Sequence, residues 1–74
     1  MKLSELDFNK KVKITKIKLE KSLKNRLNSL GVTEGVLVKK THSSILNNAV
    51  MIEVLQTRIA IRKEVAGCIY VEEI

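Results

Sequence analysis

A chain of 74 residues has room for one small domain, 1–74, and none for a substrate domain beside a cofactor domain. Apolar residues reach 45% and charged residues 30%, which fits a folded globular chain and not a disordered one, and no apolar run is as long as a membrane span. The lone cysteine, Cys68, excludes an internal disulfide, and the formal net charge of +6 calls for an anionic partner or a solvated basic face.

That charge is unevenly placed. Between Asn9 and Arg26 eight basic residues stand against one acid, Glu20, while the remainder is almost neutral. Such asymmetry attracts nucleic acid, anionic lipid or an acidic protein surface. MKLSELDFNKK has no apolar run of the signal-peptide kind, so a cytoplasmic protein is expected, meeting a membrane only through a partner.

In chain order, Leu3, Leu6 and Phe8 are expected to cover one end of the core. KVKITKI then alternates with period two, placing Val12, Ile14 and Ile17 inward against Lys11, Lys13 and Lys16, the pattern of a half-buried strand. Next the period changes. Leu19, Leu23, Leu27 and Leu30 fall within about 80° of one another on a helical wheel. With Ser22 as N-cap and Gly31 just past the end, the helix is little over two turns. So short a helix must bury its leucines on the sheet.

VTEG is expected to turn, with Gly35 relaxing the backbone, into a second strand over Val36 to His42. Ala49 to Leu55 forms a third, with Val50, Ile52 and Val54 inward, and Gln56-Thr57-Arg58 a hairpin connection lacking the favoured Asn-Gly or Asp-Gly pair. A fourth strand runs from Ile59 to Arg62, KEVAG makes one helical turn, and CIYVEE closes with Ile69 and Val71 inward. Five short strands and one short helix predict a mainly β fold, a small closed or nearly closed barrel, since closure removes exposed edges.

The run Arg26-Leu27, Leu30-Gly31-Val32 and Gly35 resembles the R-L-x-x-L-G-h-x-x-G signature of the FeoA family. LSEL is similar to the family's start, and IAIRKEVAGCIYVEE resembles its A-h-R-x-x-E-A-x-x-I-x-V ending. The resemblance implies an SH3-like five-stranded barrel and a cytosolic accessory role in bacterial ferrous iron uptake. Its implied partner is FeoB, the membrane transporter that carries a cytosolic GTPase domain. Two turns differ: Glu34 stands where the family commonly has proline, and SSILNNA where it commonly has a Gly-Asp-Pro-like turn. The SH3-like domain of iron-dependent repressors is a second relative, although 74 residues leave no place for a helix-turn-helix.

Catalysis has little to work with. His42 and Cys68 are single, and neither a P-loop nor a Gly-x-Gly-x-x-Gly run is present, so no catalytic residue and no cofactor is expected. Nor is a metal site: one histidine cannot form a two-histidine ferrous set, and adjacent Glu72 and Glu73 point to opposite faces of a strand. Only Phe8 and Tyr70 are aromatic, which disfavours both a proline-rich peptide groove and stacking on RNA. The residues thus favour a protein-binding surface. Arg26 lies at the margin of the leucine stripe, where it reaches either an internal carboxylate such as Glu64 or one on a partner. Ile45 and Leu46 sit in a polar loop as a docking patch or a lid over the barrel's end, and Lys24, Arg58 and Arg62 complete the candidate set. A small basic barrel binding nucleic acid or the ribosome, and a metal-sensing module, are the competing readings.

Overall fold

The computed structural model describes residues 1–6, 9–44 and 48–74, with the side chains of 42–44 left aside. A 3₁₀ turn, Leu3–Glu5, leads into strand β1, Lys11–Ile17, and helix α1, Lys21–Ser29. Strands β2, Leu37–Ser44, β3, Ala49–Val54, and β4, Thr57–Arg62, follow, then the single turn α2, Lys63–Ala66, and β5, Ile69–Glu73.

The strands form one antiparallel sheet in the order β4-β3-β2-β1-β5. The expected barrel is therefore not closed by hydrogen bonds, because β4 and β5 do not pair. The chain start takes up part of the β5 edge instead: Lys2 bridges Tyr70, and Val71 N–H donates to the Met1 carbonyl at 2.8 Å. The inward faces match the alternation. Val12, Ile14, Val38, Val50, Ile52, Val54, Ile61, Ile69 and Val71 are buried, with Leu3 and Leu6 packed beneath them. A register shift between Ile14 and Lys16 explains how Ile17, three residues after Ile14, reaches the same face. Such a bulge also bends the strand, and a second lies between Lys40 and His42.

Helix α1 departs from expectation in two ways. Glu20, not Ser22, is the N-cap, and the Ser22 hydroxyl donates to Glu20 Oε1 at 3.2 Å. Of the leucine stripe only Leu27 is buried, whereas Leu23 is 38% and Leu30 49% exposed; Leu19, ahead of the helix, packs half-buried on the core. A helical wheel reports a shared direction, but the surface beneath this helix accepts one side chain fully. The helix exit does follow the sequence. Gly31, at φ +93°, donates its N–H to the Asn28 carbonyl while Val32 donates to that of Leu27, the two bonds of a Schellman stop. Gly35, at φ +92°, is the third residue of the Thr33–Val36 turn, where a type II turn calls for glycine.

The β3–β4 hairpin turns one residue earlier than expected, on Leu55 and Gln56, with Val54 paired to Thr57. Both turn residues have positive φ, 50° and 69°, the pattern of a type I′ turn built without asparagine or glycine.

Candidate interaction surface

The four described candidate residues fall in three places, and the other two, Ile45 and Leu46, lie outside the described residues. Arg26 and Arg62, 36 positions apart in sequence, come together along one groove of about 450 Å³. One wall is α1 and its end, with Leu23, Arg26, Leu27 and Leu30. The other is edge strand β4 and turn α2, with Ile59 to Arg62, Glu64 and Val65. The same groove is thus lined by two arginines and by the exposed leucines Leu23 and Leu30. Arg26 and Glu64 share this groove without forming an ion pair, so the internal partner considered for Arg26 is not engaged; the Glu64 carboxylate accepts from Asn48 Nδ2 at 3.4 Å.

Lys24 points elsewhere. Its Nζ lies 3.5 Å from Glu34 Oε2, which also accepts the Ile17 N–H at 3.1 Å. That backbone bond, reinforced by Lys24 and Lys16, holds the Glu34 carboxyl below its ordinary value despite an opposing desolvation. Arg58 belongs to β4, opposite Glu53, on the outer face of the sheet and away from the groove.

One buried group went unremarked in the sequence. Lys40 is only 6% exposed and its Nζ donates to the Leu6 carbonyl at 2.7 Å, while Asn9 N–H donates to the Lys40 carbonyl at 2.8 Å. The alternation Val36, Val38, Lys40 is the signal that points it inward. Glu34, marked in the sequence only as a replacement for the family's proline, anchors the turn to β1. Cys68 is half-buried, its Sγ 3.6 Å from the Glu64 carbonyl oxygen. Among the described residues, no three His, Cys, Asp or Glu side chains gather as a metal site, and no helix is long and apolar enough to cross a membrane.

The FeoA domain model matches residues 1–73. The chain belongs to the FeoA family. A Campylobacter jejuni protein provisionally named Fe(2+) transport protein A is 37% identical over 71 residues, 96% of each chain. The solution structure of FeoA from Chlorobium tepidum superposes with a TM-score of 0.92 at 26% identity, covering all of this chain and 70% of that one. ScaR with bound zinc contains a similar unit, with a TM-score of 0.89 at 20% identity; all of this chain matches 37% of that chain, a likeness of fold alone. The SH3-like fold of this FeoA-family chain thus stands, with the sheet left open between β4 and β5.

Proposed function

We propose that this chain is a cytoplasmic, non-enzymatic accessory protein of ferrous iron transport that docks on the cytosolic face of a FeoB-like transporter. Family membership over residues 1–73 is the observation that carries this reading. The groove between α1 and β4 supplies a suitable surface: apolar side chains and two arginines line it, and guanidinium forks fit carboxylates on a partner. Iron is the transporter's cargo here, and this chain acts on the carrier of that cargo. The test mixes the full chain with the transporter's cytosolic part and with the intact transporter, and measures iron uptake after deletion of the gene. Binding and reduced uptake are expected; no binding to either form and unchanged uptake overturn the proposal.

The nucleic-acid reading draws on the positive charge but has little for a base to stack on. The ring of Tyr70 already carries the Lys18 ammonium 5.0 Å from its centroid. The metal-sensing reading draws on the ScaR likeness, which is one of fold.

A further inference from the structure

The strand register arranges the outer face of the sheet into two adjoining rows. Arg58, Glu53, Lys39 and Lys11 stand opposite one another across β4, β3, β2 and β1. Beside them, Lys13 pairs with Leu37 on one side and with Glu72 on the other. Leu55, just past the end of β3, joins Leu37 across a hollow of about 180 Å³ whose lining also includes Lys11, Lys39 and Glu53. Leu37 is 53% and Leu55 77% exposed. Among the described residues, Lys11, Lys13, Lys39 and Arg58 form no ion pair; the two pairs present, Lys10–Glu73 and Lys24–Glu34, involve none of them.

Leu55 is costly to the fold where it stands. It adopts a left-handed conformation that a bulky side chain resists, at the tip of a tight hairpin, and gains little burial in return. Strain that serves no packing is a pointer to a surface role. The chemistry around it specifies the partner: two protruding leucines enter an apolar layer, while the lysines beside them keep their ammonium groups at its polar boundary. Four cations against two carboxylates, Glu53 and Glu72, match a negatively charged boundary.

We infer that this face binds an anionic lipid surface, with Leu55 and Leu37 entering the headgroup–acyl boundary and Lys11, Lys13, Lys39 and Arg58 pairing with lipid phosphates. Each cation near an anionic leaflet contributes about fivefold in affinity, so the cluster suffices for reversible, salt-sensitive adsorption. The site is separate from the α1–β4 groove and leaves that groove open to a protein. It does not depend on the transporter reading, because protein-free vesicles test it alone.

Cosedimentation of the full chain with phosphatidylglycerol-containing vesicles and with pure phosphatidylcholine vesicles, at low and high salt, is the experiment. Retention on the anionic vesicles only, lost at high salt, is expected. Leu55→Asn removes the apolar tip while suiting the left-handed turn, so the variant folds, and its retention should fall roughly tenfold. Lys11→Gln with Lys39→Gln should weaken retention on the order of twenty-fold. Absence of binding to anionic vesicles, equal binding to neutral ones, or L55N binding like the parent each overturns the inference. So does tighter capture by duplex RNA than by the vesicles, which assigns the lysines to nucleic acid.

Discussion

Glu34 fastens the turn after the helix to the end of the first strand: its Oε2 accepts the Ile17 N–H at 3.1 Å. Ile17, the last residue of β1, is in register with Ile69 of β5, but the register with β2 on the other side stops at Lys13 and Leu37. The carboxylate supplies an acceptor there, and Lys24 from α1 stands 3.5 Å from the same oxygen. One side chain thereby connects strand, turn and helix, a role that a proline at this position has no atoms to perform.

The bond to Ile17 lowers the Glu34 pKa from its ordinary value of 4.5. The folded chain therefore holds this proton less tightly than the unfolded chain does. Its stabilising contribution is fully present above pH 4.5 and is lost as pH falls through the lower, folded value. Glu34→Gln keeps an oxygen acceptor but removes the charge, so it should lower the urea midpoint slightly at pH 7. The gap to the parent should close toward pH 3, roughly the region where ordinary carboxylates are protonated. A gap that persists or widens in acid would show that charge at Glu34 is not what stabilises the tether.

The hairpin offers a change in the opposite direction. Leu55 and Gln56 both occupy left-handed backbone, which costs an ordinary side chain roughly 1–2 kcal/mol per residue. Leu55→Asn with Gln56→Gly installs the favoured type I′ pair without touching the core, since both positions are exposed. Stability should rise by about 1–2 kcal/mol, and each kcal/mol raises Tm by roughly 4–8 °C in a domain this small. A thermal melt that does not move would mean that the turn is unstrained.

Lys40 is a buried cation serving a backbone carbonyl. Its Nζ, 2.7 Å from the Leu6 oxygen, holds the segment before β1 against the inside of β2. Lys40→Met keeps the apolar stem and removes the donor, leaving the Leu6 carbonyl to find another partner. The expected loss is about 2 kcal/mol in chemical denaturation, the usual cost of deleting one member of a buried, charge-assisted bond. A variant as stable as the parent would show that the ammonium contributes nothing net at this site.

Strand faces were legible in the sequence because period two is a local property and each strand has one buried side. Val12 and Ile14, the Val50, Ile52 and Val54 set, and Ile69 with Val71 all turn inward as their spacing predicts. Gly31 was legible for a similar reason: a helix stop of this kind needs left-handed backbone, and glycine supplies it. What escaped depends on distant parts of the chain. β4 and β5 do not meet: Met1 and Lys2 lie along the β5 edge and α1 beside β4, and no local pattern reports such long-range placement. The exposure of Leu23 and Leu30 escaped for the same cause, since periodicity fixes the direction of a side chain and not the extent of what lies beneath it. The meeting of Arg26 with Arg62 is equally non-local, whereas Lys24 was drawn away by a carboxylate ten residues on.

That meeting of two arginines gives the docking proposal its sharpest mutational test. Both side chains are exposed and neither forms an ion pair among the described residues, so reversing their charge should leave the fold intact. Arg26→Glu with Arg62→Glu places two carboxylates beside the Glu64 already lining the groove, turning its rim from positive to negative. A partner that presents acids there would meet like charge, which typically costs several kcal/mol. Affinity for the FeoB-like transporter should fall at least tenfold, roughly 1.4 kcal/mol, with most of the effect disappearing at high salt. Thermal stability should stay close to that of the parent. As a control, Arg58→Glu on the outer face should leave transporter binding unchanged. If R58E abolishes that binding while the groove variant retains it, the transporter docks on the lysine–leucine face, and the groove serves some other purpose.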